Sequence, residues 1–147
     1  MVGGVYKIPI QGRHNNYPHP HVVILEITGA KECVIVPAFS SEGTELAMYV
    51  QALVSMGYSA DLVCVELDNA KHVTFTGAMT GKPASWLPER YRRIAMRELN
   101  AAEKIGTMDS AGLSKIAEGL VKLAAAKPEL FSPALVKRIR RLIITAK

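Results

Sequence analysis

The chain has 147 residues, of which 49% are hydrophobic and 21% are charged, a composition typical of a globular protein. This length corresponds to one ordinary domain that can bury a core without disulfides, and no apolar run approaches the ~18 residues that cross a bilayer, so we expect no membrane partner. The net charge of +5 is uneven, because residues 127–147 carry 6 basic and 1 acidic side chains while residues 1–81 carry 4 and 7. The basic C-terminal part favours a polyanionic partner, although a solvated basic surface is the alternative.

Five short segments rich in apolar, β-branched or aromatic residues predict strands. They span residues 2–10, 21–28, 33–39, 61–67 and 71–76. Residues 29–31 predict a hairpin turn between the second and third strands, and residues 68–70 predict another between the fourth and fifth. Residues 44–56 repeat apolar side chains at helical spacing and predict a helix. About five short strands with tight connections suit a small barrel or a strongly curved sheet.

The pattern becomes helical in the second half of the chain. Residues 89–105 predict a helix or a helix that flanks a strand. Thr107 or Asp109 is predicted to cap the clearest helix, and Ser132 with Pro133 is predicted to begin the last one. The fold class is therefore α+β, with C-terminal helices after the strands.

Cys33 and Cys64 lie in apolar runs without metal-type spacing, which predicts free thiols in a reducing compartment. We therefore expect a cytoplasmic protein. The simplest organisation is one domain over residues 1–126, which includes the closing helix, followed by a basic helical extension over residues 127–147.

Three of the four histidines lie in a loop between the first two predicted strands, together with Arg13. Histidines titrate in the range useful for acid–base catalysis, and loops held by rigid strands often carry catalytic side chains. His19 and His21 alternate as metal ligands often do, but no Cys, Asp or Glu lies nearby, so we expect neither a metal nor a cofactor. The alternative is that the prolines of this loop shape a turn and the histidines are incidental.

Further side chains suit contacts with RNA. Ser40 ends an apolar strand, where its hydroxyl can bond a phosphate oxygen, although it can also simply end the strand. Arginine with interleaved aromatic residues fits single-stranded nucleic acid, whereas a solvated helix face with interleaved Glu is the alternative. The predicted RNA-binding residues are Arg90, Arg92 and Arg93, together with Lys137, Arg138, Arg140 and Arg141 on the outward arc of the last helix.

Four segments in collinear order carry a resemblance to a known family: residues 3–6 (GGVY), 20–25 (PHVVIL), 34–40 (VIVPAFS) and 103–108 (EKIGTM). Together they resemble the MazF/PemK (growth-inhibitor) toxin family over roughly residues 2–123. Members of that family begin with a G-x-[VI]-[YW] strand, continue through R-P-V-[VL]-[VI]-[IL] and V-x-x-[IL]-[TS] strands, and close with I-G-x-[LM] before an amphipathic helix.

The resemblance implies an SH3-like barrel, a homodimer, metal-independent cleavage of single-stranded RNA and pairing with an antitoxin protein. The family's strand-end hydroxyl falls on Ser40, while its arginine before the second strand falls on His19, which is a departure. Under this hypothesis His19 or His21 moves the proton, and Ser40 and Arg13 hold the phosphoryl oxygens. The missing arginine favours the alternatives, a non-catalytic nucleic-acid-binding barrel or a protein-interaction module of the same fold.

Overall fold

The computed structural model describes residues 2–9, 18–40, 44–67, 69–75 and 84–144 of the chain. In these ranges the strands are β1 (Gly4–Pro9), β2 (Pro18–Ile27), β3 (Glu32–Ser40), β4 (Val65–Leu67), β5 (Val73–Phe75), β6 (Ala84–Trp86), β7 (Arg92–Ala95) and β8 (Glu103–Met108). The helices are α1 (Thr44–Ser55), α2 (Ala60–Val63), α3 (Asn69–His72), α4 (Met96–Ala101), α5 (Ser110–Ala126) and α6 (Pro133–Arg140), of which α2 and α3 are single turns. The predicted α+β class is confirmed.

The strands form one antiparallel sheet that curls into a half-barrel, in the order β4-β6-β3-β2-β1-β8-β5. β3 lies at its centre, because one edge pairs with β2 while the other pairs first with β7 and then with β6. Register shifts between β2 and β3 and between β1 and β8 mark bulges, which bend a sheet and increase its twist. A barrel-like sheet is thus present, with more strands in the described residues than the five predicted.

Alternating side chains of the central strands fill two separate cores, because successive residues of a strand point to opposite faces. On one face Val22, Ile24 and Val34 pack against Ile116 of α5 and Ile139 of α6. The other face has its own cluster, made by Tyr6, Ile8, Val23, Cys33, Ile35, Ile94 and Leu99. Both faces of the sheet centre are therefore covered within a single chain.

The helix predictions hold where the structure describes them. The side chain of Asp109 accepts a hydrogen bond from the amide of Gly112 at 2.8 Å and caps α5. Ser132 caps α6 in the same way through the amide of Leu135, at 3.3 Å, and Pro133 is the first residue of that helix. No helix in the described ranges is long and apolar enough to cross a membrane.

The predicted hairpin between residues 61–67 and 71–76 is wrong. The first half of that apolar run forms α2, β4 pairs with β6, and β5 pairs with β8. Val63 explains the error, because this apolar side chain is fully buried in a helical turn, not in a strand. A short apolar run cannot distinguish a buried helix from a buried strand.

Both cysteines are free thiols, as predicted. Cys33 is buried, and burial raises the pKa of its thiol to about 11. Cys64 is half-buried, and burial also raises the pKa of its thiol. Neither thiol is therefore activated as a nucleophile at neutral pH.

Candidate functional site

His19 and His21 belong to strand β2 and not to a loop, because β2 begins at Pro18. The ladder with β1 pairs His19 with Ile8 and continues to Pro18, so it extends three residues beyond the predicted strand. Proline is tolerated in a strand that has one unpaired edge, and this part of β2 pairs with β1 alone among the described strands. The two histidines are thus two residues apart in a strand and share one face of the sheet.

His21 is fully buried, with 0% of its surface exposed. Its Nδ1 atom lies 2.8 Å from the carbonyl oxygen of His19. A carbonyl oxygen only accepts, so Nδ1 carries the proton and Nε2 carries the lone pair. Burial lowers the pKa of His21 to about 4, with further lowering by the charges of Arg92 and His19, so the ring is neutral at pH 7. Its Nε2 atom is buried without a hydrogen-bond partner in the described structure.

His19 is the more accessible of the two histidines, being half-buried. The ladder between β2 and β3 pairs His21 with Pro37, which brings His19 to the level of Phe39. The two rings are in contact, with centroids 4.5 Å apart and planes tilted by 42°. Phe39 therefore holds the His19 ring at the end of β3.

Arg92 of β7 supplies a cation to the same face. It lies two residues before Ile94, which packs in the second core, and its charge acts on His21. Its Nη1 atom donates a hydrogen bond of 3.1 Å to the carbonyl oxygen of Pro9, at the end of β1. We call the set of His19, His21, Phe39 and Arg92 the histidine face. An accessible imidazole on the same face as a guanidinium can hold an anion and exchange a proton with it, and here that imidazole is His19.

The other two predicted arginines of this region lie elsewhere. Arg93 points away from the histidine face and forms an ion pair of 2.9 Å with Glu32. Arg90 lies in a 3-10 turn, with its guanidinium 4.7 Å from the centre of the Tyr49 ring and its Nε donating to the Tyr49 oxygen at 3.2 Å. The Tyr49 hydroxyl donates in turn to Glu89. The arginines that are close in sequence therefore do not form one surface.

The C-terminal cations are also divided. Lys137, Arg140 and Arg141 are exposed, as predicted. The expectation that Arg138 points outward is wrong, because this side chain is half-buried and its Nη2 donates a 2.6 Å hydrogen bond to the carbonyl oxygen of Glu26. The long apolar stem of arginine allows such a residue to cover a neighbouring strand while its charged end still finds an acceptor.

Two predicted catalytic residues have side chains outside the described residues. Arg13 lies in the segment 10–17, and Ser40 is described only by its backbone, which ends β3 opposite Ala84 of β6. Within the described ranges, no three side chains of His, Cys, Asp or Glu converge as metal ligands. Two surface grooves, of about 410 and 390 Å³, lie beside α5 and include no residue of the histidine face.

Two relationships on this face were missed by reasoning from the sequence. Arg92 was predicted to bind RNA, but its proximity to His21 was not foreseen. Phe39 was treated only as part of an apolar strand. The sequence could have indicated the contact with His19 through the two-residue spacing of Phe39 from Pro37, which lies opposite His21, but only if the register of the two strands were known.

No family model, curated protein or solved structure matches this chain.

Proposed function

We propose that the histidine face binds single-stranded RNA and cleaves it without a metal, as an endoribonuclease of the MazF/PemK toxin type. The observation that supports this proposal best is the position of Arg92 on the face of the sheet that carries the two histidines, with its guanidinium bonded to the Pro9 carbonyl opposite Pro18. A guanidinium attracts the phosphate and stabilises the charge that develops on it, while an imidazole transfers the proton. The arginine that the family has before its second strand is thus replaced by one from another strand.

The proposed reaction is an intramolecular transfer. The ribose 2′-hydroxyl loses its proton and attacks the adjacent phosphorus, and the bond to the 5′-oxygen of the next nucleotide breaks. The products are a 2′,3′-cyclic phosphate and a free 5′-hydroxyl. His19, as the accessible imidazole, takes the proton from the 2′-hydroxyl and returns it to the departing 5′-oxygen. His21 fixes the backbone of His19 through its Nδ1 hydrogen bond. Arg92 balances the phosphoryl charge, and in this proposal Ser40 and Arg13 hold the phosphoryl oxygens.

A non-catalytic RNA-binding barrel is the second candidate function. The burial of His21 favours it, because the Nε2 atom of this residue is out of contact with solvent. One accessible histidine next to a cation is sufficient to bind a phosphate but provides a single group for proton transfer. Binding of RNA without cleavage would support this second function.

The proposal also includes a homodimer with an SH3-like barrel, an antitoxin partner and a cytoplasmic location. The dimer is supported by large apolar side chains on and next to α1 that are exposed in the single chain. Met48 is 69% exposed, Val54 43% and Met56 73%. Several exposed apolar side chains within one short segment are typical of a surface that another chain covers.

The purified chain should cleave single-stranded RNA in the presence of EDTA, and the products should carry cyclic phosphate and 5′-hydroxyl ends. We expect His19→Ala and Arg92→Gln each to lower the cleavage rate by about 10²-fold, the usual effect of losing a positioned acid, base or oxyanion donor. Arg93→Gln is the matched control, because it removes the same charge from the next residue, which points away and pairs with Glu32. Equal activity of the Arg92 and Arg93 variants, or intact RNA with the unmodified chain, would refute the assignment.

A further inference from the structure

A groove between α5 and α6 lies away from the histidine face and plays no part in the proposed cleavage. It has a volume of about 410 Å³ and is lined by both helices and by their connection. Phe131, buried against Tyr91 with ring centroids 4.7 Å apart, lies at its base. Val121 and Val136 are half-buried, and Ala125 is an exposed small residue, so the helices leave room between them. The groove is within the size range of ligand sites and is mainly apolar.

Two cations belong to this apolar groove. Lys137 and Arg140 of α6 line it, and both are exposed. In the described part of the chain neither has a carboxylate partner, whereas their neighbour Arg138 is held by the carbonyl of Glu26. The spacing of three residues puts Lys137 and Arg140 on the same side of α6, one turn apart. The groove therefore combines an apolar wall with two positive charges that no carboxylate of the described residues neutralises.

This combination selects the chemistry of the occupant. Single-stranded RNA binds through base stacking as well as phosphate contacts, but the groove offers aliphatic and proline side chains, and its phenylalanine is only 5% exposed. An amphipathic helix buries an apolar stripe in a groove of this kind, and carboxylates beside that stripe complement the cations. An acidic helix therefore matches both features of the groove.

We propose that the α5–α6 groove binds an acidic amphipathic helix of a partner protein, with its apolar stripe against Val121 and Val136 and its carboxylates against Lys137 and Arg140. This interaction does not depend on the proposed ribonuclease activity. The same chain therefore has separate surfaces for nucleic acid and for protein.

The test uses the full chain and a labelled synthetic peptide of ~16 residues, with leucines on one helix face and glutamates beside them. We expect fluorescence anisotropy to show binding with a Kd in the micromolar range. The affinity should fall as the salt concentration is raised, because salt screens the charge pairs. A peptide of the same composition, with the leucines distributed around the helix, is the control ligand. Absence of binding, or equal binding of both peptides, overturns the proposal.

Charge reversal identifies the site. Lys137→Glu with Arg140→Glu should weaken peptide binding by about tenfold or more. Arg97→Glu with Lys115→Glu makes the same change in net charge at exposed positions that do not line the groove, and should alter binding by less than about threefold. Ala125→Glu provides a second blocking variant at an exposed helical position, and circular dichroism checks that each variant is folded. Equal weakening by both double variants would show nonspecific electrostatic attraction and would overturn the assignment of peptide binding to the groove. If the first double variant lost RNA binding while its peptide affinity stayed unchanged, the groove would be an RNA site, and the proposal would also be overturned.

Discussion

The Nδ1 atom of His21 donates a hydrogen bond of 2.8 Å to the carbonyl oxygen of His19, while Nε2 on the other side of the same ring is buried without a partner in the described structure. A buried polar atom left without a hydrogen bond costs about 1–3 kcal/mol. The strand therefore keeps a neutral imidazole at a fully buried position, where an aliphatic side chain would leave no side-chain polar atom unpaired. Such a departure from the most stable choice is typical of positions kept for function.

This buried imidazole predicts a specific dependence of stability on pH. The pKa of His21 is lowered from 6.5 to about 4 in the folded chain, so the unfolded chain binds an additional proton between these two values. Since the state that binds more protons is favoured as pH falls, the free energy of unfolding should decrease from pH 6.5 towards pH 4 and be independent of this residue above pH 7. The full effect is roughly 3 kcal/mol.

Urea unfolding at several pH values measures this effect, and His21→Leu is the comparison that isolates it. The variant loses the hydrogen bond to the His19 carbonyl but also removes the unpartnered Nε2, so we expect its stability at pH 7 to lie within about 1 kcal/mol of the unmodified chain. Carboxylates titrate similarly in both proteins, and the stability difference should therefore shift in favour of the leucine variant as pH falls. A difference that stays constant from pH 7 to pH 4 would contradict the lowered pKa.

Parts of the fold that depend on local pattern could be predicted from the sequence. The capping role of Asp109 was predicted as one of two choices, and that of Ser132 directly, because a cap satisfies amides within the same helical turn. The hairpin between β2 and β3 was also predicted from its turn residues. The partners of β4 and β5 were not predicted. β4 pairs with β6 and β5 pairs with β8, and these pairs join strands that are distant in sequence and depend on the whole sheet.

The contact between His19 and Phe39 shows why the candidate site was harder to predict than the fold. Counting from the turn without interruption would place His19 opposite Ser40. A bulge between Val23 and Leu25 shifts the register by one residue and brings Phe39 to that place. A one-residue shift exchanges the faces of all side chains beyond it, so the composition of the site depends on a bulge that no motif marks.

Arg138 and Arg141 provide a test of the divided C-terminal cations. Arg138→Ala should lower the free energy of unfolding by roughly 1.5–3 kcal/mol, because it removes a charge-assisted hydrogen bond to the Glu26 carbonyl and the packing of the arginine stem. Arg141→Ala removes the same charge from an exposed position just after α6 and should change stability by less than about 0.5 kcal/mol. Chemical denaturation of both variants measures the difference. Equal stabilities would show that the Arg138 contact contributes nothing.

The cap of α5 predicts a stability loss of defined size. Asp109→Ala removes the acceptor for the Gly112 amide and the contact of 3.1 Å with Nδ1 of His72, so we expect destabilisation by about 1–2 kcal/mol. Asp109→Ser keeps a capping oxygen and should recover most of the loss. His72→Gln removes only the second contact and should therefore cost less than Asp109→Ala. Thermal unfolding ranks the three variants, and a serine variant as unstable as the alanine variant would exclude capping as the cause.

The exposed apolar side chains on and directly after α1 predict how the chain assembles. Met48 is 69% and Met56 is 73% exposed, and burying them against a second copy would stabilise a dimer of two 16.0 kDa chains. Met48→Glu with Met56→Glu should convert that dimer to a monomer, because a twofold interface repeats each change and brings the new charges into an apolar contact. Ala111→Glu with Ala134→Glu adds the same charge at exposed positions of α5 and α6 and serves as the control. Light scattering over a range of concentrations gives the mass. A monomer at ~100 μM, well above the Kd of a stable dimer, would contradict both this interface and the dimer that the family resemblance implies.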